Sequence, residues 1–589
     1  RFPFSVKAAR DYLFAAVGPD LAEEDGAATV WIDGVQLEPG GAAGDFAVRE
    51  PVEIGLQTGR FGNVFFLGEP VSLLVSGHTA TTRDVTVRLE AEAEDFFGEA
   101  GPLPSHSLEV PAGGSASAAW PLKLTDPGHY LLKVSCRGGA LRTRRMPLAI
   151  IRRYEHADSP FGINHAPPTA ALCRLLRSAG VVWARDWSWK WQHVEPRRGG
   201  FDPAVPDVQV NRVLATGMKQ TCLLPPFPSS DWASTAPKSV ATRGYPGNRL
   251  RMAYAPRDPK LLGEYIERCV RHCAARVSVW EFLNEPIFTD YALPSATKGL
   301  PGAAYTVADY VRLLEIAHAA MKRADPTCRV IGGIAAGPRL LTSELIAAGG
   351  LDHIDILNLH MYPGKALPET YIEPMAELVG RMRARGKVRP IWVTEYSYYA
   401  TDEPPWEPFV GASGWAAARL LRDERQCADY SVRFAVIMLA CGAEKVFYHS
   451  GASGEVNRQP LECCLVGYAG RPRKVLAAQA AMADALGPRP IFAKRLAAGS
   501  GKETAEGVYA YAFDCVDRAV VVAWVDADVA GDKWHLSVPA SAEACDIVGR
   551  RVAGRRLKLT SSPVYAVARS ASATQLAGSC RLAPLVKIK

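Results

Sequence analysis

Hydrophobic and polar residues follow two different patterns along this chain of 589 residues. Residues 50–152 contain short stretches, such as VTVRLEAEA and HYLLKVSC, in which apolar and polar positions alternate between turns rich in Gly, Pro and Asp. A period of two residues at this spacing is typical of antiparallel strands. The pattern predicts an immunoglobulin-like β-sandwich over 50–152, and stretches such as AVVVAWVDA predict a second sandwich over 488–589.

The segment 153–487 has a different pattern, in which short β-rich stretches alternate with helical ones. The clearest helix starts after Thr306 as N-cap, and Pro326 follows its end. Eight candidate strands alternate with helices here: 160–166, 181–186, 219–225, 277–286, 329–335, 355–364, 390–397 and 445–450. This alternation predicts a (β/α)8 TIM barrel between the two sandwiches.

The first segment, 1–49, contains the alternating stretch ATVWIDGVQLEPG, which ends in a Pro-Gly turn. WIDGVQLEPG resembles the last strand of jelly-roll carbohydrate-binding modules, so we interpret 1–49 as the incomplete tail of such a domain. Because the chain begins at Arg1 in a segment that already has a strand pattern, we expect further chain upstream, including a signal segment. The expected location is therefore secreted or periplasmic.

Composition and charge argue against several classes of function. The net charge is +7, with 68 basic and 61 acidic residues and no long basic run, which argues against binding to nucleic acid. The chain contains no stretch of 18 or more apolar residues, so no membrane-spanning helix is predicted. The 13 cysteines are scattered and form no paired metal half-sites, so we expect free thiols and no metal or other cofactor. The oligomeric state is not indicated.

Two glutamates follow hydrophobic strands of the predicted barrel. Glu285 ends VSVWEFLNEP on the fourth candidate strand, and Glu395 lies near the end of PIWVTEYS on the seventh. Catalytic groups of TIM barrels sit at these carboxyl ends of the strands. A pair of carboxyl groups about 5 to 5.5 Å apart can cleave a glycosidic bond by double displacement. Glu395 would then be the nucleophile and Glu285 the acid/base that protonates the leaving group.

The motifs around this pair resemble those of a known enzyme clan. Asn284-Glu285-Pro286 and Thr394-Glu395-Tyr396 are similar to the strand-four and strand-seven motifs of clan A glycoside hydrolases. GVVWARDWSWKWQHVEPRRGGFD (180–202) and DILNLHMYPG (355–364) resemble family 39 in particular. The resemblance spans the barrel and implies a retaining glycosidase that cleaves β-type, equatorial bonds of an oligo- or polysaccharide.

The same resemblance implies several binding residues. Arg185 is expected to hydrogen-bond the nucleophile, and His360 and Tyr362 to line the pocket. Independently of the resemblance, the amide of Asn284, next to Glu285, is expected to donate to a sugar 2-hydroxyl. An alternative for Arg185 is a surface ion pair with Asp186.

Further substrate contacts are expected from residues at the ends of the first, second, seventh and eighth strands: Asn164, His165, Trp187, Trp189, Tyr396 and Tyr448. Aromatic rings suit the flat faces of sugars, although core packing is the expected role of any single tryptophan, Trp191 and Trp232 included. At the eighth strand the chain departs from the clan, because Tyr448-His449 stands where many relatives place a tryptophan.

Two alternatives stay open at this point. A barrel of this kind can bind carbohydrate without cleaving it, as the flanking sandwiches would also allow. The same pair of glutamates can also serve a transglycosylase, in which a sugar instead of water intercepts the intermediate. The long loops 226–258 and 400–415 are expected to shape the cleft.

Overall fold

A computed structural model provides the structure of the protein. The structure describes residues 51–137, 143–240, 249–402, 419–449, 465–467, 470–497, 507–526 and 534–584. The jelly-roll tail expected over 1–49 lies outside these residues. No helix in the described ranges is long and apolar enough to cross a membrane.

Two sheets form the first part of the described chain. The strands are β1 (Val52–Gln57), β2 (Val64–Phe66), β3 (Ser72–Thr79), β4 (Val85–Glu94), β5 (Ala100–Pro102), β6 (His106–Val110), β7 (Ser115–Pro121), β8 (Gly128–Arg137) and β9 (Arg144–Ile151). One sheet has the order β1-β3-β7, and the other has the order β2-β9-β8-β4-β5 with β6 paired to β4. The strands pair antiparallel except for one parallel pair, β2 with β9. Their inward side chains, such as Leu73, Leu89 and Trp120, form one apolar core, as the period of two predicts.

Eight parallel strands then close into a barrel in chain order, β10 to β17. They are β10 (Phe161–Asn164), β11 (Val181–Asp186), β12 (Lys219–Leu223), β13 (Val279–Glu281), β14 (Arg329–Gly332), β15 (Ile356–Met361), β16 (Ile391–Tyr396) and β17 (Ala443–His449). Seven of them lie within one of the eight candidate strands, and β17 overlaps the eighth but begins two residues before it, so the predicted (β/α)8 barrel is confirmed. Nearly every residue of these strands is buried, because helices cover the outer face of the barrel and side chains fill its interior.

The helices that surround the barrel follow its strands along the chain. They are α1 (Ala170–Ser178), α2 (Trp191–Val194), α3 (Ala204–Ala215), α4 (Arg249–Met252), α5 (Pro259–Cys273), α6 (Val307–Ala324), α7 (Leu341–Ala347), α8 (Ile372–Ala384), α9 (Glu424–Ala440) and α10 (Lys474–Leu486). The predicted N-cap of α6 is confirmed: Thr306 and Asp309 form a reciprocal capping box at its first turn.

The end of the described chain forms a second pair of sheets. Its elements are β18 (Ile491–Arg495), β19 (Val508–Asp514), β20 (Ala519–Val525), β21 (Trp534–Ser537), β22 (Glu543–Cys545), β23 (Arg556–Lys558), β24 (Val564–Ala568), α11 (Ala573–Ser579) and β25 (Arg581–Pro584). The sheet orders are β18-β19-β20-β24-β22 and β23-β21-β25. The barrel is therefore flanked by β-sandwiches, as the sequence predicts.

Two long loops at the carboxyl ends of the barrel strands pack against each other. The loop after β12 and the loop after β13 share a small apolar cluster that includes Val240, Tyr254 and Ala303. The backbone N–H of Leu293 also donates to the carbonyl of Ala253 at 2.7 Å. Of the expected cleft loops, 241–248 and 403–415 lie outside the described residues.

Candidate active site

The predicted polar residues meet at the carboxyl ends of the barrel strands. Asn164 ends β10, Arg185 lies near the end of β11, and Glu395 lies near the end of β16. Asn164 and Arg185 are completely buried, and Glu395 is 5% exposed. Closure of the barrel therefore brings together side chains that lie more than 200 residues apart in the sequence.

The backbone after β13 has an unusual conformation. Leu283 and Glu285 both adopt positive φ angles, 60° and 45°. Non-glycine residues rarely adopt this region, and such positions cluster at functional sites. The turn is held by backbone hydrogen bonds from Leu283 and Asn284 to the carbonyls of Pro225 and Pro226, at 3.2 and 3.0 Å. This geometry places the side chain of Glu285 at the barrel mouth.

Three side chains hold the carboxylate of Glu395. Oε1 accepts hydrogen bonds from Nη1 of Arg185 at 2.6 Å and from Nδ2 of Asn164 at 2.9 Å. Oε2 accepts a hydrogen bond from the hydroxyl of Tyr362. Burial alone would raise the pKa of Glu395, but its electrostatic interactions with His360 and with the guanidinium of Arg185 outweigh this effect and lower the pKa to about 2. Glu395 is therefore ionised at neutral pH.

His360 lies between the two glutamates. Its Nδ1 is 3.0 Å from Oε1 of Glu285 and 3.4 Å from Oε2 of Glu395, and its Nε2 is 3.0 Å from the hydroxyl of Thr394. One oxygen of each carboxylate and one nitrogen of His360 all lie within 4.8 Å of one another. The side chain of Glu285 is 16% exposed and that of Glu395 is 6% exposed, so Glu285 faces the open side of the pocket.

Aromatic rings and imidazoles form the wall around the carboxylates. The ring of His165 lies 5.2 Å from that of Trp187 and 5.9 Å from that of His449, and His449 lies 5.4 Å from Tyr362. Burial and the neighbouring His449 lower the pKa of His165 to about 3, and burial also lowers the pKa of His449. Both imidazoles are therefore neutral at pH 7 and can exchange hydrogen bonds with hydroxyl groups.

Three of the predicted binding residues do not face the pocket. Trp189 is completely buried and packs against Trp280, outside the barrel wall. Tyr396 stacks on Phe434 of α9 at 4.7 Å between ring centroids. Tyr448 contacts Tyr396 edge-on at 5.2 Å. The structure therefore turns Tyr396 and Tyr448 away from the pocket, because successive side chains of a strand point to opposite faces, and it buries Trp189 in the loop after β11.

The structure places Asn284, Trp187 and Arg185 in or beside this pocket. Asn284 is buried, and its Oδ1 accepts a hydrogen bond from Nη2 of Arg185 at 3.0 Å. Trp187 is half-buried at the mouth, and its Nε1 donates to Oδ1 of Asn164 at 3.1 Å. Arg185 is not a surface residue paired with Asp186, because its guanidinium is completely buried among Glu281, Glu395 and two asparagines.

Four residues of the site were not predicted by sequence reasoning: Glu281, Thr394, His449 and Asn358, whose Nδ2 donates to Oε1 of Glu281 at 2.6 Å. The strongest missed signal is Glu281, an acidic residue inside the apolar strand VSVWEFLNEP. Charged side chains are almost never fully buried unless they are paired, so such a residue indicates a partner on another strand. His449, next to the predicted Tyr448, is the residue of β17 that reaches the pocket.

One group of residues has the spacing of a metal site, namely Glu285, His360 and Glu395. Both oxygens of Glu395 already accept hydrogen bonds, and the guanidinium of Arg185 is 2.6 Å from one of them. A divalent cation bound there would be repelled by this fixed positive charge. These residues therefore fit two carboxylates that are each hydrogen-bonded to neighbouring side chains better than they fit a cation site.

Comparisons with known proteins support the fold. No family model matches the sequence, and no curated protein matches it. Among solved structures, the chain is similar to a family 39 glycoside hydrolase from Bacteroides cellulosilyticus WH2, with a TM-score of 0.60 and 18% identity over 87% of this chain and 100% of that one. It also matches a glucosidase from Croceicoccus marinus, with 14% identity over 72% of this chain and 97% of that one, at a TM-score of 0.43. The expected resemblance to family 39 is thus confirmed at the level of the fold.

Proposed function

We propose that the protein is a retaining glycoside hydrolase in which Glu395 is the nucleophile and Glu285 is the acid/base. One observation carries this proposal: two carboxylates whose nearest oxygens lie within 4.8 Å of each other at the mouth of a (β/α)8 barrel. Retaining glycosidases place their carboxyl groups about 5 to 5.5 Å apart, whereas inverting ones leave room for a water molecule at about 6.5 to 9.5 Å.

The surroundings of the two carboxylates assign their roles. Glu395 is buried, ionised and held by Arg185, Asn164 and Tyr362, which suits a nucleophile that must attack from a fixed position. Glu285 is more exposed and lies beside His360, so it can reach a leaving group on the open side of the pocket.

The reaction then proceeds in two displacements. In the first, an oxygen of Glu395 attacks the anomeric carbon, the glycosidic C–O bond breaks, and the departing oxygen takes the proton of Glu285. In the second, Glu285 removes a proton from water, the water oxygen attacks the anomeric carbon, and Glu395 leaves as a carboxylate. Each carboxyl group ends in its starting state.

The pocket wall supports a carbohydrate as substrate. Trp187 offers a ring face, and the neutral imidazoles of His165 and His449 offer hydrogen bonds to hydroxyl groups. By its resemblance to clan A, the protein is proposed to cleave β-type, equatorial bonds of an oligo- or polysaccharide.

A stereochemical experiment tests the mechanism. The protein is incubated with a panel of aryl glycosides, and proton NMR identifies the first anomer formed. We expect retention, and mass spectrometry of protein treated with the matching 2-deoxy-2-fluoro glycoside should find the sugar attached to Glu395. First formation of the inverted anomer, or attachment elsewhere, would contradict the assignment.

Two variants and a control sharpen this experiment. Glu395→Gln should abolish hydrolysis, and Glu285→Gln should slow it by about 10²- to 10⁴-fold on substrates with poor leaving groups. Glu444→Gln is the control, because Glu444 is exposed near the opposite end of β17 and should leave the rate unchanged. Product analysis with excess sugar acceptor distinguishes hydrolysis from transglycosylation.

A further inference from the structure

Glu281 is completely buried and contacts Arg185 and Thr394, which lie between it and the two proposed catalytic glutamates. It is the last residue of β13 and points into the barrel, whereas the preceding Trp280 packs outward against Trp189. A fully buried carboxylate is costly unless several hydrogen bonds and an opposite charge compensate it. Its partners therefore show what this position contributes to the site.

The first partner of Glu281 is Arg185. Nε of Arg185 donates to Oε2 of Glu281 at 2.6 Å, and Nη2 donates to Oε1 at 2.8 Å. The remaining nitrogen, Nη1, donates to Glu395 at 2.6 Å. Because a guanidinium is a rigid planar fork, fixing two of its nitrogens on Glu281 also fixes the direction of the third. Glu281 thus orients the guanidinium of Arg185, which in turn binds the carboxylate of Glu395.

The second path from Glu281 leads to the acid/base. Oε1 of Glu281 is 3.5 Å from the hydroxyl of Thr394, which is 3.0 Å from Nε2 of His360. Nδ1 of His360 is in turn 3.0 Å from Glu285. When the hydroxyl of Thr394 points to the anion of Glu281, it accepts a hydrogen bond from Nε2–H of His360. Nδ1 is then unprotonated. It can accept a hydrogen bond from the carboxylic acid of Glu285, which must be protonated to act as an acid.

We propose that Glu281 is a positioning residue that couples the two catalytic carboxylates. It orients Arg185 against Glu395, and through Thr394 it selects the tautomer of His360 that accepts a hydrogen bond from protonated Glu285. The inference rests on the proposed function. It also assigns an electrostatic role, because Arg185 divides its charge between two anions and so leaves Glu395 more nucleophilic than a single ion pair would.

The test replaces Glu281 by the isosteric Gln. Arg185 then has Glu395 as its one anionic partner at this position, so the carboxylate of Glu395 is stabilised more strongly and attacks more slowly. We expect kcat/KM for aryl glycosides to fall by about 10- to 100-fold, mainly through kcat, and the acidic limb of the pH profile to move to lower pH. Glycosylation should slow more than deglycosylation, because in deglycosylation Glu395 is the leaving group.

The pH profile reports on the titratable and charged groups around the two carboxylates: Arg185, His360, Tyr362, His165, His449 and Glu281 itself. Each of these groups except Glu281 is unchanged in the variant, so a displaced limb is attributable to Glu281.

The matched control is Glu369→Gln. Glu369 is a buried carboxylate that binds Arg433 in the same two-pronged manner, at 2.8 and 2.5 Å, but it lies outside the barrel wall. Its loss should lower stability and leave the pH profile in place. The inference would be overturned if Glu281→Gln kept kcat within about threefold with an unmoved acidic limb, or if Glu369→Gln produced the same kinetic change.

Two further measurements keep the inference testable should Glu281→Gln fold poorly. Thr394→Val removes the hydroxyl that connects Glu281 to His360, while Arg185 keeps its partners. The basic limb of the pH profile should then move to lower pH. A basic limb that stays in place would contradict the connection through Thr394. A crystal structure of Glu281→Asp should show Nη1 of Arg185 displaced from Glu395, and an unchanged position contradicts the orienting role. This structural result needs no activity, so a parent protein that cleaves no glycoside would contradict the proposed function alone.

Discussion

At the scale of the residue, Glu395, the proposed nucleophile, owes its properties to groups from other strands and loops. The hydroxyl of Tyr362 donates to the oxygen of Glu395 that Arg185 does not bind. A hydrogen bond to an ionised group contributes about 1.5 to 3 kcal/mol, more than a neutral one. Tyr362 therefore stabilises the ionised form of Glu395 and fixes the rotation of its carboxylate.

Tyr362→Phe removes this hydroxyl and keeps the ring that packs against His449. We expect kcat/KM to fall by about 10- to 100-fold, and the acidic limb of its pH profile to move to higher pH because the pKa of Glu395 rises. Steady-state kinetics over a pH range that extends below the pKa of Glu395 measure both effects. An acidic limb that stays in place would show that Tyr362 does not act on the ionisation of Glu395.

The ionisation of Glu395 should also appear in stability. Its pKa is lowered from an ordinary value of 4.5 to about 2, so the folded state favours the ionised form. The resulting stabilisation is fully present above pH 4.5 and is lost as the pH falls towards 2. Urea denaturation should therefore show that the difference in unfolding free energy between the parent and Glu395→Gln shrinks below pH 4.5. A difference independent of pH in this window would contradict the lowered pKa.

At the scale of the element, a register shift decides which side chains of β16 enter the pocket. The pairing of β16 with β17 shifts between Val393 and Tyr396. Within this irregular stretch, the consecutive residues Thr394 and Glu395 both reach the barrel interior, where they contact His360 and Arg185. A β-bulge can re-aim a side chain in this way, and bulges are common beside active sites.

Closure of the barrel depends on a small residue in its first strand. A Cβ atom added at Gly162 of β10 would lie 2.5 Å from the ring of Phe447 on β17. Gly162→Ala should therefore destabilise the fold by about 1 to 3 kcal/mol, as expected for an overpacked core.

Gly380→Ala is the matched control for this prediction. Gly380 lies in α8 with no heavy atom within 4 Å of an added Cβ, so alanine there should stabilise the helix by about 0.5 to 1 kcal/mol. Denaturant titrations of both variants measure the two changes. Equal stability of Gly162→Ala and the parent would mean that the first and last strands can separate without cost.

At the scale of the whole molecule, the last sandwich is joined to the barrel through β20. Alternate residues of this strand face two cores: Val521 and Ala523 face the sandwich, whereas Val522 and Trp524 pack against the barrel. A buried network accompanies this contact. Arg433 of α9 binds Glu369 and Asp526, and Nε1 of Trp524 donates to Glu369 at 2.7 Å.

Arg433→Met tests this connection. The substitution keeps the apolar stem and leaves the carboxylates of Glu369 and Asp526 without their guanidinium, so we expect a loss of about 3 to 5 kcal/mol. Calorimetry should show the sandwich melting separately from the barrel at a lower temperature. One transition at the parental temperature would show that the apolar contacts of β20 alone join the two parts.

Much of this architecture follows from local pattern. The eight strands were predictable because parallel strands buried on both faces consist of continuous apolar residues. The N-cap Thr306 was predictable because its capping box lies within one turn of sequence. Glu285 and Glu395 were identified because a carboxylate at the end of an apolar strand has few structural uses.

The sequence by itself therefore determined the order of strands and helices and the positions of the two glutamates, since both depend on patterns a few residues long. Only the tertiary structure decided that Glu281 supports Arg185, because their contact joins residues on separate strands. It also decided that Tyr396 and Tyr448 face outward while Tyr362 and His449 face the pocket. The direction of a strand side chain depends on register and bulges, and these are set by packing between strands.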